Sequence, residues 1–289
     1  MNTIYPKNAT RKLDWVSAVD PASRDDLALL QESMRIYYAS SSNLYYDDID
    51  FTASAWVNHD NYKDITKRLR DSRTILEVGC GAANFVKYYG EVESRYAGCD
   101  FSPKLMQRNS ELYPKAEFRQ ITDPRIIPFE DKSVDAVLSV YVIEHAVYPH
   151  DFLSECARVL RPGGTFILKC PDFLGSCSMT SQRAGLAYGT GRAKLAKGRL
   201  LDALLTGFDR KVTIPRRCAE LRSEIGNGWR FYVNLAPTCF RDPFAPDHDA
   251  VYLTYADEMV SFLRGKIIFP EDWRTLNSKW PIYLVGSKL

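Results

Sequence analysis

The sequence predicts an α/β protein built on a mostly parallel sheet with helices on both faces. Three observations carry this. Apolar strand-like runs alternate with helical runs between residues 74 and 170, and strands joined by helical crossovers lie parallel. The stretch TILEVGCGAANF, 74–85, ends an apolar run on an acid, Glu77, and follows it with Gly79 and Gly81 where a strand should turn into a helix. Start and stop signals also fall between the elements: Ser102 as N-cap with Pro103 at the first helical position, and Pro162-Gly163-Gly164 after Leu160.

The elements follow in order. Leu27, Leu30, Met34 and Tyr37 give helical spacing over 22–40, and a more charged helix is expected over 60–71. Then come strand 74–79, helix 83–91, strand 95–100, helix 103–113, strand 116–121, strand 134–140, helix 150–160 and strand 165–170. After Pro171 the rhythm breaks: 172–250 shows no clear strand, one helix over about 191–206, and several Gly, Pro and Arg residues. Regularity returns with helix 255–264, a short strand 266–269 and a last strand 281–288.

Composition narrows the class of protein. With 289 residues, 45% apolar content and 26% charge, the chain can bury a sizeable core, and its net charge of +2 gives no global attraction to nucleic acid or anionic membrane. The opening MNTIYPKNATRKLDW lacks the apolar core of a signal peptide, and no run approaches the length of a membrane span. A cytoplasmic enzyme is the expectation. The seven cysteines (80, 99, 156, 170, 177, 218, 239) form no CxxC pair and sit mostly in apolar runs, so they are read as small hydrophobes in a reducing compartment, with no metal expected.

A strand, a glycine-rich turn, a helix and an acid about 20 residues on is the general arrangement for a nucleotide-like ligand. Here the second acid is Asp100, at the end of RYAGCD. A dinucleotide site wants G-x-G-x-x-G, and the third position fails at Asn84. Glu77 also argues against a diphosphate, which a carboxylate repels, and for a ligand carrying positive charge. The segment EVGCGAA, 77–83, resembles the E/D-x-G-x-G-x-G loop of class I S-adenosylmethionine-dependent methyltransferases, with Ala83 in place of the last glycine. Asp123 in ITDPRIIPF, the IPF-x-D-x-S-V-D-A-V run after it, and the segment IEHAVYPHDFLSECARVLRPGG before the fifth strand are similar to the same family. The resemblance covers roughly 74–170 and, more loosely, 255–289.

What the resemblance implies is a Rossmann-like sheet of seven mostly parallel strands in the order 3-2-1-4-5-7-6. Residues 1–72 would form a helical lid, 73–171 the cofactor-binding core, 172–254 an insertion capping the acceptor, and 255–289 the rest of the core. S-adenosyl-L-methionine is the implied cofactor. Its candidate binders are Glu77, Gly79, Cys80, Gly81, Asp100 for the ribose, Phe101 for the adenine face, Asp123 for the adenine amine, and Val140.

Methyl transfer is an in-line displacement in which positioning supplies most of the catalysis. An acceptor protonated at neutral pH also needs a base, and His145 is the candidate, with Tyr141 lining the donor pocket. His248 in PDHDAV, beside two acids, is a further candidate for the acceptor, while His59 and His150 are read as structural, His150 as a helix cap near Asp151. Residues 183–217 hold nine Arg or Lys against two acids, Asp202 and Asp209, which suits an anionic substrate or lets the helix lie on a membrane surface. The tyrosine-rich piece 37–51 suits either a lid or core packing. The expected reaction is methylation of O or N on a small, anionic metabolite, with no nucleic-acid partner and the oligomeric state open. The alternatives are methylation of RNA or protein, a non-catalytic cofactor-binding scaffold, and an NAD-dependent dehydrogenase.

Overall fold

The computed structural model of the protein describes residues 15–40, 60–177, 191–237, 239, 249–276 and 281–289. The tyrosine-rich piece beyond residue 40, His59 and His248 lie outside them. Two compact units divide the chain: one takes Met34–Ile143, His150–Cys170 and Met259–Leu289, the other Met1–Ser33, Glu144–Pro149 and Pro171–Glu258.

The first unit is the sheet. Its strands are β2 (Ile75–Val78), β3 (Tyr96–Asp100), β4 (Glu117–Gln120), β5 (Val134–Val140), β6 (Leu160–Cys170), β8 (Ile267–Ile268) and β9 (Ile282–Lys288); the second unit holds β1 (Trp15–Ser17) and β7 (Tyr232–Asn234). The seven strands run in the order β4-β3-β2-β5-β6-β9-β8, which is 3-2-1-4-5-7-6 when the sheet's own strands are counted. All pairs are parallel except those made by β9, which runs antiparallel to β6 and β8. The central strand ILEV is buried along its whole length and pairs on both sides, Glu77 standing opposite Gly98 and Leu138. That is why it reads as a continuous apolar run interrupted only by its acid.

Helices cover the sheet: α2 (Asp60–Leu69), α3 (Asn84–Tyr88), α4 (Pro103–Leu112), α5 (Pro149–Val159), α10 (Ala256–Leu263) and the short α11 (Trp273–Leu276). Ser102 caps α4 by accepting from the Leu105 amide, with Pro103 following it. The helix expected over 83–91 is shorter, because after Tyr88 the chain tightens into a 3-10 stretch, Gly90–Arg95. His150 lies inside the first turn of α5 instead of capping it, its Nε2 3.4 Å from Asp151. The apolar face beneath α2 to α4 joins Tyr62, Ile65, Phe85, Tyr96, Leu105 and Ile167 into one core.

In the second unit, α1 begins at Arg24 and runs to Ser40, its first residues falling in this unit; the rest is α6 (Phe173–Ser176), α7 (Gly191–Ala196), α8 (Leu200–Phe208) and α9 (Ile214–Ile225). The sequence showed no strand between 172 and 250, yet β7 pairs there with β1, Trp15 opposite Asn234. Three residues are too few for period-2 alternation to register, and the partner lies more than two hundred residues away. The single helix expected over 191–206 is two. The chain breaks at Gly198, whose φ of +72° only glycine adopts readily, and the second helix starts afresh at Leu200. Phe173, Leu174, Ile214, Cys218, Leu221, Tyr232 and Leu253 form this unit's core.

Candidate functional site

At the carboxyl end of β2 the chain turns through two glycines with positive φ, Gly79 at +74° and Gly81 at +49°. Gly79 tolerates nothing larger, since a Cβ there would lie 2.4 Å from both methyl carbons of Val142. The amides of Gly79 and Cys80 both donate to the Cys99 carbonyl, at 2.8 and 3.1 Å, which ties the turn to the neighbouring strand. Cys80 serves this turn through its backbone, while its thiol packs against Gly98. Burial lifts that thiol well above its ordinary pKa, so it is no nucleophile.

Ala83, where the resembling family has glycine, adopts φ +56° and is completely buried. The side chain in place of glycine costs backbone strain, about 1–2 kcal/mol for a left-handed residue with a Cβ.

Asp100 closes β3. One carboxylate oxygen accepts from the Gly81 amide and the other from the Ser102 amide, each at 3.0 Å. The acid is therefore fixed by the very loop it stands beside. Behind the loop, the wholly buried Asn109 of α4 donates to the Gly81 carbonyl at 2.8 Å. No sequence signal marked Asn109, because the bond spans 28 residues and two elements. Phe101 and Val140 are half-buried, and Asp123 is exposed, accepting from the Arg125 amide at 2.9 Å.

Glu77 is 7% exposed and its carboxyl accepts from the hydroxyl of Tyr96. Burial pushes its pKa up to about 8, against the pull of the Tyr96 hydrogen bond and with a further push from the Asp100 charge. The sequence pictured a bare carboxylate at a strand end. The fold gives it a phenol partner and a dry environment, in which its charge is costly.

Tyr141, just past β5, has φ +56°, an uncommon state for a residue with a bulky side chain. Its amide donates to the Lys169 carbonyl at 2.7 Å, and the Lys169 ammonium lies 5.7 Å from its ring centre. Lys169 is 1% exposed, and burial lowers its pKa to about 8. Sequence reasoning missed it, since nothing in the run FILKC marks the lysine as buried.

His145 belongs to the second unit. Its Nδ1 lies 3.5 Å from Asp249, and its Nε2 lies 4.0 Å from the fully buried Glu144. The Glu144 carbonyl receives the amides of Val251 and Tyr252, at 2.7 and 2.9 Å. The PDHDAV motif thus contributes Asp249 to the histidine. Among the described residues, no group of three His, Cys, Asp or Glu is disposed to hold a metal ion, and no helix is long and apolar enough to cross a membrane.

A mostly parallel sheet in this order, with an acid in its first strand, a tight glycine turn after it and a loop-anchored acid closing its second, matches a Rossmann-like methyltransferase fold. Residues 76–168 match the methyltransferase domain family. A probable S-adenosylmethionine-dependent methyltransferase of Mycolicibacterium smegmatis is 36% identical over 100 residues, which is 35% of this chain and 38% of the relative. An uncharacterized methyltransferase of Mycobacteroides abscessus is 33% identical over 134 residues, 43% of this chain and 49% of the relative. The chain thus spans less than half the length of these relatives. Among solved structures, the PH0226 protein of Pyrococcus horikoshii is 16% identical, with a TM-score of 0.43 over 81% of this chain and 93% of its own.

Proposed function

We propose that the protein transfers a methyl group from S-adenosylmethionine to an oxygen or nitrogen of a small, anionic metabolite. The observation that carries the donor half is the double anchoring of Asp100 by the Gly81 and Ser102 amides. It holds a carboxylate at the end of β3, where ribose hydroxyls are recognised in nucleotide-binding α/β folds. When bound, the cofactor supplies a methyl group made electrophilic by its sulfonium. Gly79 and Gly81 let the backbone come close to the ligand, Asp100 accepts from the ribose, Phe101 covers the adenine face and Asp123 takes its amine. Glu77 is the partner of the ammonium; a nearby cation draws its pKa down and returns its charge.

In this reading His145 removes the acceptor's proton, with Asp249 orienting the ring and stabilising its protonated form. The anionic character of the acceptor rests on the cation surplus of 183–217.

Calorimetric titration of the protein with S-adenosylmethionine and with NAD tests the donor half. Micromolar binding of the first and none of the second is expected, and the reverse overturns it. Incubation with labelled donor and a lysate of the source organism, followed by mass spectrometry, then identifies the acceptor. A labelled nucleic acid or protein in place of a small product overturns the acceptor half.

A further inference from the structure

The helices α7 and α8 fold as a hairpin whose inner contact is unusual. Lys194 is buried, and its ammonium donates to Thr206 Oγ1 at 2.8 Å; Thr206 is buried as well and donates to the Asp202 carbonyl at 2.7 Å. The hairpin therefore turns its polar contact inward. Outward it presents Leu195, Leu200, Leu201, Leu204 and Phe208, each between 54% and 69% exposed. At about 100° per residue, Leu200, Leu204, Phe208 and Leu201 fall within an arc of roughly 100°, a single stripe along α8.

Charges frame this stripe. Arg192, Lys197, Arg199, Arg210 and Lys211 are all exposed, and the acids between 191 and 211 are Asp202 and Asp209. Asp202 is bridged to Arg199 at 2.7 Å, and Asp209 accepts from Thr213 at 3.1 Å. Exposed leucines gathered in one stripe mark an interaction face, and scattered ones would not.

We propose that the α7–α8 hairpin docks the enzyme on an anionic lipid surface, with the leucine and phenylalanine stripe entering the headgroup boundary and the surrounding cations meeting lipid phosphates. The pattern is that of a helix lying in the membrane interface: a large apolar face, basic flanks and too short a length to span. A free anionic metabolite leaves the apolar stripe without a role. A second copy of the chain, paired face to face, sets these cations against their own images and so opposes association. This docking is independent of the donor reading, since none of the residues assigned to the donor lies on the hairpin; it uses some of the same cations on which the anionic character of the acceptor rests.

The test is co-sedimentation of the whole protein with phosphatidylcholine vesicles and with vesicles of roughly one-third phosphatidylglycerol. Binding to the second only, reduced about tenfold between about 0.1 M and about 0.5 M salt, is expected. Leu201→Asn with Leu204→Asn, and separately Lys197→Glu with Lys211→Glu, should each abolish it. Far-UV circular dichroism and S-adenosylmethionine titration of both variants should match the parent, showing that fold and donor site are intact. Absence of binding to either vesicle overturns the proposal. So does equal binding to both, or light scattering that shows the leucine variant splitting a dimer while vesicle binding stays unchanged.

Discussion

The hydroxyl of Tyr96 on β3 donates to the carboxyl of Glu77 on β2, inside the packed face of the sheet. The pair explains how an acid is kept on a buried strand: a phenol hydrogen bond supports it, and burial raises its pKa to about 8, well above the ordinary 4.5. Between those two values the folded protein holds a proton that the unfolded chain releases. The stability of the ligand-free protein from this group therefore falls as pH rises across that window. Glu77→Gln should remove the fall and raise Tm at pH 8 by about 2–6 °C, read by scanning calorimetry across pH. Affinity for S-adenosylmethionine should do the opposite in the parent, strengthening as pH rises from about 6 to about 8 while the carboxylate forms. A flat binding profile would show that Glu77 does not meet the ammonium.

Asp100 orients the loop through Gly81 and Ser102, and in the proposed reading it also takes the ribose. Asp100→Ala removes both and should weaken donor binding by about 1–3 kcal/mol. Asp100→Asn keeps an acceptor for one loop amide, so it should lose donor affinity with a smaller drop in Tm. Equal donor affinity in parent and alanine variant, measured by calorimetry, sinks the ribose assignment.

Ala83 and Gly79 make opposite predictions from the same geometry. Ala83→Gly releases a left-handed residue from its Cβ and, after the added freedom of the unfolded chain, should leave Tm unchanged or raised by up to about 3 °C. Gly79→Ala drives a methyl into Val142 at 2.4 Å and should destabilise the protein by about 2 kcal/mol or more while weakening donor binding. Thermal melts of the two variants side by side decide this.

His145 and Asp249 should separate chemistry from binding. His145→Ala is expected to lower kcat about 100-fold, and Asp249→Asn about tenfold with a shift in the pH–rate profile, both with the donor Kd unchanged. Once an acceptor is known, near-parental turnover of His145→Ala returns the pair to a purely structural role.

Lys169 carries a buried ammonium whose pKa burial holds down at about 8, against 10.5 in the unfolded chain. Between these values the folded protein has lost a proton that the unfolded chain keeps, so stability from this group rises with pH there and is reduced below about pH 8. Lys169→Met should raise Tm at pH 7 by about 2–4 °C and flatten that dependence, as seen by differential scanning fluorimetry.

The sheet was legible because its signals are local. A buried parallel strand is a short apolar run, a helix is a period, and the turn after β2 announces itself by two glycines; β5 falls on residues 134–140 as read. The glycine turn and its two acids were legible for the same reason, as Glu77, Gly79, Gly81 and Asp100 lie within a stretch of 24 residues.

What the sequence by itself determined is therefore the order and type of the core elements and the residues on the glycine turn. Tertiary structure alone decided that Glu77 is partnered by Tyr96, that Asn109 holds the turn from behind, that Asp249 stands beside His145, and that Lys194 faces inward while five apolar side chains face out. Each of these depends on which residues meet across distant segments or which side of a helix is covered. Neither follows from spacing along the chain, because burial and pKa are properties of a neighbourhood that exists only after folding.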